Sequence, residues 1–287
     1  MDSLHADVER KLMSAVERMP AFPRAVQKIL ELTRQLNCPP KDIVGVIDKD
    51  PVLTVKILKV INSAYYGLPT KITSVNQSVV FLGINTVKNL ALGFAAAGTL
   101  PRNNAAGFDM HKYLLHSLTT SALARQLCVL FPAAEVDPGD CYIAGLLHDF
   151  GKVVFAQFMA EEYKAALKLR AGSGKPLHEC ESEVIGADHA IVGAMLAAKW
   201  QFPAALGECI RDHHRLHVPR TPLLDCLRVA NQICRRQKVG DSGNPFHDDE
   251  IPATKRFGGD FEEITAALGD IEKIAADAAI FAQVGTK

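Results

Sequence analysis

Apolar residues recur at intervals of three and four along nearly the whole chain, the period of amphipathic helices. In FPRAVQKILELTRQL (22–36), Val26, Ile29, Leu30 and Leu36 fall near one helical face. No run shows the sustained two-residue alternation, bounded by tight turns, that marks a half-buried strand. The helix starts are legible too. Asp50-Pro51, Asp137-Pro138 and Thr221-Pro222 each set a side-chain oxygen at the cap and proline in the first turn. Ser74 with Gln77 reads as a capping box, and Gly83 as the stop of that short helix. The pattern predicts an all-α fold, a multi-helix bundle.

Two seams interrupt it. GTLPRNNAAG (98–107) is turn-rich and reads as a joint between an N-terminal helical half and a central one. GDSGNPFHDDEIP (240–252) is polar and acidic, a loop ahead of one last helix over about 261–284. No repeat of fixed period and no low-complexity tract is found.

Composition narrows the function classes. Lys and Arg together number 32, as do Asp and Glu, so no net field draws the molecule to nucleic acid or membrane. The seven cysteines form no C-x-x-C pair, which argues against a disulfide framework or zinc finger and for a reducing compartment. The opening MDSLHADVERKLM has no long apolar run, and LALGFAAAGTL (90–100) is too short to span a bilayer. A cytoplasmic protein is expected, with no membrane partner.

Against this background AGLLHDFGKVVF (144–155) stands out, because it places His148 and Asp149 in an almost wholly apolar stretch. An isolated carboxylate there must neutralise or find a cation. His116 sits in another apolar helix, His189 opens DHAIVGAMLAAKW, and His213 and His214 end PAALGECIRDHH. Imidazoles from several helices around one carboxylate suit Zn, Fe, Ni, Mn or Co without choosing among them. Lys152, one turn past His148, is a candidate contact for an anionic phosphate beside such a metal. Plainer readings stand beside these: His213 and His214 can complement a helix dipole, and Lys152 can snorkel to solvent. His5, His111, His178, His217 and His247 lie in polar or loop settings and take no role.

The order of these residues resembles the HD superfamily of metal-dependent phosphohydrolases: a first histidine, an HD doublet followed by Gly-Lys, later histidines and a final aspartate. His116, His148, Asp149, Gly151 and Lys152 match the first parts. His189, His213 and His214 match the extra histidines of binuclear members. The final aspartate is expected in LLDCLRVANQICRR, where this chain has Ala230-Asn231. A neutral amide binds a divalent cation more weakly and cannot act as a base, so the departure counts against hydrolysis.

MPAFPRAVQKILEL, IVGVIDKDPVLTVKILKVINSAYYG and ITSVNQSVVFLGINTVKNLALG are similar to the HDOD domain, the HD-related output domain of bacterial signalling proteins. Asp50-Pro51, Asn62-Ser63-Ala64 and Leu82-Gly83 carry that likeness. The resemblance spans 15–236. It implies a helical half (15–100) packed on an HD-like half (108–236), with 237–287 as a loop and helix extension.

The resemblance further implies a signal-transduction output module, of the kind tied to response regulators, that binds a partner protein and one or two divalent transition metals without established catalysis. His116, His148 and Asp149 would hold one ion. His189, His213 and His214 are available for a second, and Asn231 stands at the last ligand position. No phosphoacceptor receiver sequence is visible, so the upstream signal is expected from a separate protein. The alternative is a metal-dependent phosphohydrolase acting on a nucleotide or cyclic dinucleotide, with Lys152 on the phosphate.

Residues 40–63 superficially suggest a helix-turn-helix with Lys41, Lys49, Lys56 and Lys59. Asp42, Asp48 and Asp50 and the lack of base-reading arginines argue against DNA. NSAYYG (62–67) reads as a corner between helices, with a partner-binding role for its tyrosines as the lesser reading.

Overall fold

In the computed structural model the predicted N-caps form, and they mark where α4, α5, α8 and α14 begin. The residues described are 6–33, 38–62, 68, 70–101, 103–134, 136–244 and 252–285, and among them every regular element is helical. In chain order the elements begin with α1 (Ala6–Arg18), α2 (Arg24–Thr33), α3 (Pro40–Asp48), α4 (Pro51–Ile61), α5 (Val75–Leu82) and α6 (Ile84–Gly98). Then come α7 (Met110–Leu130), α8 (Pro138–Leu147), α9 (Gly151–Phe158), α10 (Ala160–Ser173) and α11 (Leu177–Ile185). The chain closes with α12 (His189–Lys199), α13 (Ala204–Asp212), α14 (Pro222–Arg236), a 3-10 turn (Pro252–Phe257), α15 (Phe261–Ala267) and α16 (Ile271–Gly285).

Asp50 accepts from Leu53 N at 3.0 Å, Asp137 from Gly139 N at 2.7 Å, and Thr221 from Leu224 N at 3.2 Å. Each satisfies an amide that the first helical turn leaves without a partner. Ser74 caps α5 through Gln77 N at 3.2 Å, but Gln77 Oε1 returns to Thr73 N, one residue earlier than a capping box requires. Gly83 ends α5 at φ 79°, a backbone that glycine adopts without a Cβ penalty.

The single last helix expected over 261–284 is corrected to two, α15 and α16. Gly269 takes a left-handed φ of 75°, and Asp270 then caps the next helix by accepting from Lys273 N at 2.9 Å. Leu-Gly-Asp (268–270) is thus a stop followed by a start.

The chain forms two compact units, one of residues 1–20 with 101–275 and one of 21–100 with 276–287. The turn-rich seam at 98–107 contains the boundary at Leu100 and Pro101. The smaller unit closes around Ile29, Ile43, Ile47, Ile57, Val75 and Leu90, all buried. In it Asn62 forms the expected corner, donating to Leu58 O and Ile72 O and accepting from Ile72 N, all at 2.8 Å. Ser63–Gly67 of NSAYYG and residues 245–251 of the acidic loop lie outside the described residues.

The larger unit holds α1 in place by its end. Lys199 at the end of α12 donates to the carbonyls of Val16, Glu17 and Met19 at 2.6–2.9 Å, and Trp200 Nε1 donates to Pro20 O at 3.0 Å. One ammonium therefore gathers three carbonyls at the C-terminal end of α1.

Two glycines let helices of this unit meet. A Cβ on Gly145 would lie 2.4 Å from Ser121 Cα, so α8 crosses α7 at a distance no side chain permits. A Cβ on Gly151 would lie 2.0 Å from His189 O, which makes the start of α9 abut the start of α12. No described helix is long and apolar enough to cross a membrane.

Candidate metal centre

His148 caps the C-terminal end of α8, and Asp149 and Phe150 lead directly into α9 at Gly151. The HD doublet therefore occupies a joint between two short helices, where both side chains turn to one side. Around it converge His116 from α7, His189 from the first residue of α12, His213 from the end of α13 and the adjoining His214. Asp149, His148, Lys152 and His189 are fully buried, and His116 and His213 nearly so.

Asp149 is the hub. Its Oδ2 lies 3.3 Å from His148 Nε2, 3.8 Å from His116 Nε2 and 2.8 Å from Lys152 Nζ. Its Oδ1 lies 3.0 Å from His189 Nε2 and 3.7 Å from His213 Nε2. The ligand atoms form two groups that share this carboxylate: His116, His148 and Asp149 in one, and Asp149, His189, His213 and His214 in the other. Within each, all lie within 4.8 Å of one another.

The outer partners fix which nitrogen faces inward. His148 Nδ1 is 2.8 Å from Gly145 O and His213 Nδ1 is 2.6 Å from Ile210 O. A carbonyl accepts only, so both Nδ1 atoms donate, and in the neutral ring Nε2 carries the lone pair. His189 Nδ1 meets Glu181 Oε2 at 2.5 Å, and the same oxygen accepts from His189 N at 2.9 Å. This is the carboxylate–histidine arrangement that orients metal ligands.

The inner atoms of His116, His148 and His213, each an Nε2, have no hydrogen-bond partner. Buried imidazole nitrogens left in this way cost free energy. A cation among them removes that cost, so the donor set fits a divalent transition metal.

Burial and charge set the protonation. Burial opposes a charged Asp149, but its interactions with His148 and the Lys152 ammonium, and its hydrogen bonding with His148 and His189, hold its carboxyl well below the usual range. Burial pulls the Lys152 ammonium down, against the pull of Asp149. Burial likewise lowers His116 and His214 well below the ordinary imidazole value, and takes His178 and His213 down to about 3. His189 goes the other way: burial lowers it, but the charge of Glu181 and the hydrogen bonds to Asp149 and Glu181 together outweigh burial and raise it.

A group whose folded pKa lies below its unfolded value binds more protons when unfolded, so it costs stability as pH falls from about 6.5 towards 3. His116, His178, His213 and His214 all act in this sense. The raised pKa of His189 acts oppositely, stabilising below its unfolded value and ceasing to do so as pH rises through its folded one. Asp149 joins the four rings at the acid end. The midpoint of thermal unfolding is therefore expected to fall between about pH 7 and about pH 5. A midpoint that holds or rises over that interval contradicts these assignments.

Of the residues read from sequence, His116, His148, Asp149, His189, His213 and His214 come together. Lys152 is not the solvated side chain of the plainer reading. It is enclosed, with Asp149 at 2.8 Å and Ser242 Oγ at 3.3 Å. His213 and His214 are not merely dipole partners, since their rings lie 3.9 Å apart, tilted by 43°, with His189 beside them. His178, given no role, lies on α11 with its ring stacked on His214 at 4.1 Å. Asn231 is buried on α14, its amide oxygen without a hydrogen-bond partner. One turn further, Cys234 Sγ lies 3.3 Å from His116 Nδ1.

Glu181 and Cys234 were missed. Glu181 had a signal: in LHECESEVI it shares a face with Leu177 and Ile185, an acid at a core position. Cys234 had none, because a buried thiol reads as an ordinary small apolar residue.

The description "HDOD domain" fits residues 19–216, more than half of the chain. The chain belongs to the HDOD family. Among solved structures, this HDOD chain is similar to an HDOD domain protein of unknown function from Geobacter sulfurreducens, at 22% identity and a TM-score of 0.80. That match covers 95% of this chain and 96% of the other. A protein from Marinobacter aquaeolei VT8, whose name proposes a signal transduction role, also gives 22% identity and 0.80, over 99% of this chain and 66% of that one. A protein from Shewanella amazonensis SB2B, whose name proposes a metal-dependent phosphohydrolase, gives 16% and 0.52, over 96% and 100%. These likenesses establish the fold. An uncharacterized protein of Treponema pallidum (strain Nichols) is 28% identical over 228 residues, and the match spans 77% of this chain but only 44% of that protein.

Proposed function

We propose that this HDOD chain is a regulatory output module that binds a signalling partner protein and is steadied by a buried divalent transition metal. The observation that carries the metal is the set of inward Nε2 atoms on His116, His148 and His213, all without partners around one carboxylate. His116, His148 and Asp149 would hold one ion, and Asp149 with His189, His213 and His214 a second. Bound there, the metal supplies Lewis acidity and can lower the pKa of a bound water. Two features favour regulation over turnover. Asn231 offers an amide where the HD pattern has a carboxylate, and it cannot accept a proton as a base. The Lys152 ammonium is taken up by Asp149 and Ser242, so it does not wait free for a phosphate. Exposed Val52 and Val55 on α4, with Val80 and Phe81 on α5, supply apolar surface of the kind protein partners cover.

One observation favours the second reading, a phosphohydrolase acting on a nucleotide or cyclic dinucleotide. A pocket of about 380 Å³ opens onto His116, and Arg235, Arg236 and Lys238 line it beside Ser242. That lining suits an anion. The two readings separate on a panel of nucleotides, cyclic dinucleotides and simple phosphoesters, offered to the metal-loaded wild type and to Asn231→Asp. The regulatory reading expects no hydrolysis by the wild type, and tighter metal binding by the variant. Turnover by the wild type overturns it in favour of the enzyme.

A further inference from the structure

The smaller unit differs in charge from the rest of the chain. Its residues, 21–100 and 276–287, include ten Lys and Arg against five Asp and Glu, a net charge of +5. The remainder carries 22 against 27, a net charge of −5. The zero charge of the whole chain is thus a balance between two unlike units. A surface on the smaller one meets partners in a positive field, which steers acidic molecules towards it.

Within that unit α4 has two unlike faces. Leu53, Ile57, Val60 and Ile61 lie on the side turned to the core and are buried. Val52, Val55 and Lys59 follow one another at intervals of three and four on the far side, so they form one strip along the helix. Val52 is 67% and Val55 64% exposed, and Lys59 is exposed beside them. Lys56 borders the strip, half-buried, with its ammonium 5.8 Å from the centre of the Phe94 ring. Lys49, also exposed, stands just ahead of the helix. α4 contains no acidic residue, and Asp50, which precedes it, is committed to Leu53 N as the cap. An exposed apolar residue is ordinary when single; two on successive turns, edged by cations, make a surface with a chemistry of its own.

We propose that the Val52–Val55–Lys59 face of α4 is a docking surface for an acidic amphipathic helix of the partner protein. Apolar side chains at helical spacing on that partner cover the two valines, and its carboxylates meet Lys59 and Lys49 at the rim. Other anionic partners fit less well. Duplex DNA would set phosphates against the valines, which offer no hydrogen-bond donor. A bilayer needs a broad apolar face to sink into it, and the broad face of α4 is already spent on the core. The proposal rests on the reading of the chain as a partner-binding module, and the two fail separately. Phosphoester turnover overturns that reading and leaves peptide binding untouched, whereas a peptide that does not bind overturns only this surface.

The full chain is titrated into two fluorescently labelled peptides of about 20 residues, long enough to hold a helix. Both carry leucine at helical spacing; one has glutamate in the remaining places and the other lysine. The glutamate peptide should bind at least roughly tenfold more tightly by fluorescence anisotropy, and less so as salt rises from about 50 to about 500 mM. Hydrogen exchange should slow over residues 51–61 when it binds. Val52→Ser with Val55→Ser, and separately Lys59→Glu, should each weaken it roughly tenfold. All three side chains are exposed, so the thermal midpoint should stay near that of the wild type. Lys59→Glu should also bind the lysine peptide more tightly than the wild type does. No binding of the glutamate peptide by the wild type, or binding indifferent to both variants, overturns the proposal. Tighter binding of duplex DNA or of phosphatidylserine vesicles, lost in Lys59→Glu, overturns it in favour of those partners. A concentration-dependent dimer that protects α4 in the chain alone makes a second copy the occupant, and overturns it likewise.

Discussion

Asp149→Asn is expected to abolish metal binding and to destabilise the protein by about 3–5 kcal/mol, the cost of leaving a buried cation without its counter-charge. The side chains have the same shape, so packing is preserved and charge alone changes. In the native protein the carboxylate faces the Lys152 ammonium at 2.8 Å and four imidazoles within 3.8 Å, with full burial at Asp149 and Lys152. An amide there cannot balance an ammonium whose one other polar contact among the described residues is Ser242 Oγ at 3.3 Å. Thermal unfolding should show a drop on the order of 10 °C. Adding Lys152→Met separates the two roles of the carboxylate. The double variant should recover much of the lost stability, since the stranded charge is gone, yet still bind no metal. A double variant as unstable as the single one would mean that the ion pair is not what Asp149 contributes.

Gly151→Ala is expected to have an effect out of proportion to one methyl group. The added Cβ would lie 2.0 Å from His189 O, 2.8 Å from its carbonyl carbon and 2.9 Å from its Cα. All three are backbone atoms, so no side chain can rotate away. α9 and α12 must separate, at about 1–3 kcal/mol for overpacking. His189 leads α12 and its Nε2 lies 3.0 Å from Asp149, so the separation opens the centre at that contact. Metal affinity should fall roughly 10–100-fold, as it does when the groups that orient a ligand are disturbed. Isothermal titration with Mn²⁺ or Zn²⁺ beside a chemical denaturation curve measures both effects. Unchanged affinity in a folded Gly151→Ala protein would show that the contact does not position His189.

The glycine illustrates what was legible in the sequence and what was not. The helical period, the capping side chains at Asp50, Asp137 and Thr221, and the stop at Gly83 are local, each acting within one turn, and the structure realises them. The histidines around Asp149 were legible because imidazoles and a carboxylate on apolar faces are chemically conspicuous. The break at 268–270 was also local, and was lost under the apolar period that runs through it. The reason for Gly151 was not legible, because the backbone it makes room for lies 38 residues further along the chain. The same holds for Lys199, whose partners are the carbonyls of Val16, Glu17 and Met19. Burial of Lys152 could not be read from spacing either. A lysine on an apolar helix has an easy route to solvent, and only the placement of Asp149 and Ser242 removes it.

The most direct test of the metal centre is elemental analysis of the untagged full chain after desalting, repeated after equilibration with Mn, Fe, Co, Ni and Zn salts. Retention of a divalent transition metal in at least stoichiometric amount, abolished by Asp149→Asn, is the predicted result. A folded wild-type protein that carries none of these metals and takes up none on equilibration would contradict it, and would reduce the cluster to a hydrogen-bonded core.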